Sequence, residues 1–174
     1  MKWPWADYEA FQECVSLSDR PLSEAYDIEL ALRFLIFSLI EEEELENIGD
    51  VGIFITEKMR KIAIDQGFDI AFWENLFEKT FGLLADELAE KAFKRYSVAK
   101  SKFSGGFLLS QFEVVAYGLA YNLYKGNQIE NIPEKAASIW SDRRYTDWSG
   151  SGITATRRLP RILPLGREVF SDGN

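Results

Sequence analysis

The chain has 174 residues, of which 47% are hydrophobic and 14% aromatic, and its formal net charge is −8. That length suits one domain with a substantial buried core, and the apolar content is too high for a disordered chain. The absence of histidine excludes Ser-His-Asp triads, Cys-His dyads, HNH-type nuclease sites and zincins, while a lone Cys14 excludes an intrachain disulfide and a cysteine-based zinc cluster.

In chain order, residues 6–17 place Tyr8, Phe11, Val15 and Leu17 among acids, which predicts a short amphipathic helix. Pro21 and Ser23 punctuate the chain, with Ser23 a candidate cap. From residue 25 to about 46, Ile28, Leu32, Leu35, Ile36 and Leu39 recur at helical spacing and end in the solvated run Glu41–Glu44. Asp50 is a candidate N-cap for a helix reaching about 65. Gly67 and Asp69 close one element and open another. Residues 70–95 read as one long helix, or as two broken at Gly82. A basic loop follows around 100–106, then the most apolar helix, about 108–124. Its small residues Ala116, Gly118 and Ala120 permit close helix contact, so it belongs at the centre of a bundle. Pro133 suits the first turn of a short helix ending near Trp140. Beyond Ser149-Gly150-Ser151-Gly152, the two prolines and β-branched residues predict an extended strap rather than a helix. The expected architecture is mainly α. About five to seven helices form a bundle over 1–142, and a basic C-terminal strap over 143–174 packs on it as part of one domain.

Charge is unevenly spread. Residues 1–142 carry 25 acids against 14 bases, whereas 143–174 carry six arginines against Asp147, Glu168 and Asp172. Lys91, Lys94, Arg95, Lys100 and Lys102 form a second basic stretch free of acids. An anionic partner is therefore expected at these two segments rather than at the acidic body. Lys94, Arg95, Lys100 and Lys102 are interleaved with Phe93, Tyr96 and Phe103, although helical spacing also fits those rings to core packing. Gly152 with Arg157, Arg158 and Arg161 forms a candidate phosphate cradle, although no Lys-Ser/Thr pair follows to make it a P-loop. Glu113, inside the most apolar helix, needs a buried partner, and Arg33, beside Phe34 in the other apolar helix, is the candidate for a structural ion pair. Neither a metal nor a cofactor site is legible. The start Met1-Lys2-Trp3-Pro4-Trp5 lacks a signal-peptide core, and no apolar run approaches the length of a bilayer span, so a cytoplasmic location is expected.

Three stretches carry a resemblance. They are Tyr26-Asp27-Ile28-Glu29-Leu30-Ala31-Leu32-Arg33-Phe34, then Phe103-Ser104-Gly105-Gly106-Phe107-Leu108-Leu109-Ser110-Gln111-Phe112-Glu113, and Gly150-Ser151-Gly152 running to Arg157-Arg158-Leu159-Pro160-Arg161. In this order and spacing they resemble the second, helical half of the bacterial family that includes GmrSD-type restriction endonucleases and related phage-defence proteins. Arg33, Glu113, Gly152, Arg157 and Arg161 match positions that the family pattern emphasises. Members usually begin with a ParB/sulfiredoxin-like nucleotidase half bearing Asp-Gly-Gln-Gln-Arg, and many end in an HNH-like nuclease. This sequence contains neither the motif nor a histidine. The resemblance therefore implies a non-catalytic helical module. Its expected partners are a protein carrying the missing half, or a second copy of the chain, and DNA at the basic segments. The alternatives are a metal-dependent nuclease built on acids such as Glu113 and a regulatory module that binds protein alone.

Overall fold

A computed structural model describes residues 4–171. Residues 1–3, on which the reading of the amino terminus rests, and 172–174, the end of the expected strap, lie outside it. The described residues are mainly helical. Helices α1 (Glu9–Val15), α2 (Asp19–Ser23), α3 (Tyr26–Phe37), α4 (Glu42–Leu45), α5 (Val51–Ile64) and α6 (Ile70–Glu87) precede a small hairpin, β1 (Arg95–Ser97) and β2 (Lys102–Ser104). Then come α7 (Leu109–Tyr124), α8 (Ile132–Ser138), α9 (Arg143–Thr146) and α10 (Ala155–Val169).

The core is aromatic. Phe77 of α6 lies within ring-contact distance of Phe11 (5.1 Å), Phe34 (5.2 Å) and Phe81 (4.5 Å), which joins α1, α3 and α6. Phe112 and Tyr117 extend the cluster onto α7. Such tilted and edge-on ring pairs add to the burial of their area. Two caps appear as the sequence predicts. The Asp50 carboxylate accepts from the Ile53 N–H, and Asp69 accepts from Phe72, each at 2.9 Å. Ser23 does not cap α3. Its hydroxyl donates to the Arg20 carbonyl at 2.7 Å, and Ala25 takes the capping position with φ 58°.

The expected helix over 25–46 is interrupted after Phe37. Ser38 Oγ donates to the Phe34 carbonyl at 2.6 Å, and the Ile40 carbonyl is claimed at 2.5 Å by Arg167, 127 residues away. Conversely, α6 runs unbroken through Gly82. A mid-helix glycine costs about 1 kcal/mol, less than the burial of Phe81 and Leu84 on either side of it returns.

The largest departure from expectation is at the carboxyl end, where the predicted extended strap is helix α10, with Pro160 and Pro164 inside it. The prolines are four residues apart, so both lie on one half-exposed face and their lost backbone bonds fall on that side. The opposite face buries Leu159, Ile162, Leu163 and Leu165 to 1% exposure or less. At about 1.5–3 kcal/mol per side chain, that burial outweighs about 3 kcal/mol for each proline. Helix α10 packs along α7, and the two touch at glycines: a methyl added to Gly118 would lie 2.5 Å from the Gly166 carbonyl carbon and oxygen. The small residues of α7 thus receive α10 at backbone distance, which makes α7 the centre of the bundle.

Candidate nucleic-acid interface

The basic stretch expected as the end of a helix and a loop is an antiparallel hairpin, in which Arg95 pairs with Ser104, Tyr96 with Phe103 and Ser97 with Lys102. Tyr96 and Phe103 sit directly opposite, ring centroids 4.9 Å apart, and this cross-strand pair selects strand over helix. Phe93 alone of the three interleaved aromatics is in the core. Leu108 N–H donates to the Phe93 carbonyl at 2.9 Å and closes the base of the hairpin, while Gly105, at φ 93°, takes a turn that a side chain would strain.

Between this hairpin and the Ser149–Gly150 loop lies a cleft of about 870 Å³. Arg95, Tyr96, Trp140 and the loop are among the residues that line it, and Ser110 reaches it from α7. No acidic residue is among its lining. The cleft thus lies between parts of the two segments that sequence marks as basic, with Arg95 the one cation in its lining. Lys100 and Lys102 are exposed on the hairpin, Lys94 is half-buried at its base, and Arg157 and Arg161 are exposed on the first turns of α10. Among the described residues none of Lys94, Arg95, Lys100, Lys102, Arg157 and Arg161 has an ion-pair partner, whereas Arg20, Arg33, Lys58, Arg143, Arg144, Arg158 and Arg167 all do. Arg60, Lys61, Lys79, Lys91, Lys125 and Lys135 likewise have no ion pair among the described residues, so the set is distinguished by its place on the two basic segments and not by its lack of partners. Gly152, at φ +84°, shapes the turn leading into α10 and does not line the cleft.

Beneath this face is a buried latch, and here the sequence expectation is corrected twice. Glu113, fully buried, is not paired with Arg33. Its two carboxylate oxygens accept from Arg158 Nε at 2.5 Å and Nη2 at 2.9 Å, and Arg33 instead pairs with Glu29 at 2.8 Å, one turn earlier on α3. Arg158 is accordingly not a phosphate ligand. It is 8% exposed and its remaining nitrogen donates to the Ile153 carbonyl at 2.9 Å. Local i, i+4 geometry gives Arg33 a nearer acid, while α10 delivers Arg158 to Glu113 from across the bundle. Burial raises the Glu113 carboxyl above the ordinary carboxylate range, and the Arg158 and Arg33 guanidiniums pull it back down. The two-pronged contact with Arg158 holds it as a carboxylate.

The chain matches no family model, no curated protein and no solved structure. The arrangement must therefore be read on its own chemistry. The Ser110 and Tyr145 hydroxyls meet at 3.1 Å, and the Ser149 N–H donates to the Tyr145 carbonyl at 2.8 Å; burial pushes the Tyr145 phenol up to about 12, which keeps it neutral at physiological pH. The Tyr145 carbonyl, which accepts from the Ser149 N–H, and Arg158, which donates to the Ile153 carbonyl, tie down the two ends of the 149–153 loop. Among the described residues no group of three or more Cys, Asp or Glu side chains is placed to hold a metal ion. No described helix is long and apolar enough to cross a membrane.

Several contributors were illegible in the sequence. Trp140, Tyr145 and Trp148 surround the loop because α8 and α9 fold beside it, and no local spacing signals that. Arg167 is buried to 8% exposure, lies 4.1 Å from the Tyr121 ring centroid and claims the Ile40 carbonyl. Its partner is too distant in sequence to be guessed.

Proposed function

We propose that this chain is a non-catalytic helical module that binds DNA, serving a bacterial DNA-defence system in which a separate protein supplies the nucleotidase or nuclease half. The observation that carries the DNA-binding part is the convergence of the basic hairpin and the Ser149–Gly150 loop on one cleft without acidic lining, in a chain of net charge −8. Phosphate-driven binding requires local positive potential and tolerates an acidic body elsewhere. The defence role and the partner rest on the sequence resemblance in the three stretches quoted above.

The test is fluorescence anisotropy of labelled DNA across a salt series, with wild-type protein and the triple variant Arg95→Ala/Lys100→Ala/Lys102→Ala. The expected result is binding at low salt that weakens as salt rises. The variant should lower affinity for all sequences and flatten the salt slope by about 2–3. Unaltered binding in the variant would move the interface elsewhere, and no binding at low salt would refute the DNA reading. Co-purification from the native cell, read by mass spectrometry, tests the partner. Recovery of a protein bearing the Asp-Gly-Gln-Gln-Arg motif is expected, and recovery of the chain alone would overturn the split-complex part.

A further inference from the structure

Three of the arginines without an ion-pair partner, Arg95 in the cleft lining and Arg157 and Arg161 on α10, are held against indole rings. The Arg95 guanidinium carbon lies 5.7 Å from the Trp140 ring centroid, and those of Arg157 and Arg161 lie 5.7 Å and 5.2 Å from that of Trp148. Trp140 lines the cleft, and Trp148 immediately precedes Ser149 and Gly150, which line it too. In sequence the two indoles flank α9.

An arginine free in solvent samples many rotamers and loses that freedom when it binds. One held against a ring has lost part of it already, so less remains to be lost on binding. A guanidinium so placed offers two things at once. Its edge N–H groups fit phosphate oxygens, and its exposed flat face is a stacking surface for a planar base. Lysine offers only the first. In a duplex the faces of the bases are occupied by neighbouring bases and only edges and phosphates are presented, so a stacking surface gains nothing from duplex DNA. The cleft is concave, of a size that encloses small organic groups, and its walls carry Gly105, Gly106 and Gly150, where no side chain keeps a strand at a distance.

From these placements we infer that the face takes single-stranded nucleic acid, with unpaired bases stacking on the outer faces of Arg95 and of the Arg157–Arg161 pair while phosphates meet the neighbouring lysines. This deepens the DNA-binding reading above and rests on it.

The experiment compares a labelled oligothymidine with a duplex carrying the same number of phosphates, by anisotropy at one low salt concentration. The proteins are wild type, Arg95→Lys and Arg157→Lys/Arg161→Lys. The lysine variants keep every charge and alter only exposed side chains, and circular dichroism confirms that they fold. The expected result is tighter binding of the single strand by wild type. Each lysine variant should lose at least about fivefold on the single strand, the scale of one stacked base, and less than about twofold on the duplex. Equal or tighter binding of the duplex by wild type, or lysine variants that hold the single strand as well as wild type does, would overturn the stacking inference while leaving DNA binding intact. Failure of both nucleic acids to bind would refute the DNA reading itself and the inference with it.

Discussion

Replacing one member of the Glu113–Arg158 pair should destabilise the protein far more than replacing both. The carboxylate is 1% exposed and the guanidinium 9%, so neither is solvated once its partner is gone. Removing one partner from a buried ion pair costs about 3–5 kcal/mol. Two charge-assisted hydrogen bonds at about 1.5–3 kcal/mol each give the same range independently. Arg158→Met should fall at the upper end, since it also abandons the Ile153 carbonyl. Glu113→Gln, which keeps one acceptor, should fall at the lower end. With a urea dependence of about 2 kcal/mol per molar, the midpoints should drop by about 1.5–2.5 M. The double variant Glu113→Leu/Arg158→Met leaves no stranded charge and should cost less than either single change. Urea unfolding followed by circular dichroism measures these four proteins and the single variant Glu113→Leu, which completes the cycle with Arg158→Met. A coupling below about 0.5 kcal/mol, or a stronger coupling of Glu113 to Arg33 in the parallel cycle, would refute the assignment of Arg158 as the partner.

Alanine at two helical glycines should act with opposite signs. Gly118→Ala meets the Gly166 backbone and should destabilise by about 1–3 kcal/mol, whereas Gly82→Ala meets only the Tyr8 hydroxyl at 3.8 Å and should stabilise by about 0.5–1 kcal/mol; thermal melts of the two decide it, and a shared sign would refute the close α7–α10 contact. Burial, with a smaller push from Glu13, raises the Cys14 thiol to about 12, so it should resist a disulfide exchange reagent at pH 8 until the protein is unfolded. Because its folded pKa lies above the unfolded value, its contribution to stability is complete below about pH 8.5 and is lost as pH rises towards 12. Wild type should therefore lose about 1.5 kcal/mol more than Cys14→Ala between pH 8.5 and pH 10, and parallel alkaline curves for the two proteins would contradict this.

What was legible in the sequence was local. The Asp50 and Asp69 caps sit three residues from the N–H groups they accept, Pro133 lies in the first turn of α8, and the apolar stripe of α7 has its own period. What failed to read was decided at a distance. Pro160 and Pro164 argue against a helix when weighed alone, and only the α7 face that buries Leu159, Ile162 and Leu163 reverses the balance. Arg33, in the other strongly apolar helix, is the partner for Glu113 that sequence suggests, but α10 arrives with a guanidinium better aimed. The hairpin was hidden by its brevity, since three-residue strands leave no periodicity. The basic segments themselves were visible, because charge is counted without knowing the fold, but their meeting at one cleft was not.

Helix α10 supplies contacts that the earlier helices await. Thr156 donates to the Gly49 carbonyl from 107 residues away, and Arg167 reaches Ile40 from 127. Synthesis delivers about 5–20 residues each second, so the nascent α3 and α7 spend some seconds with an unfilled groove, an unpaired Glu113 and an unclaimed carbonyl. During that interval apolar surface of α7 is exposed, and a ribosome stalled near residue 150 would hold a protein with its central helix still uncovered.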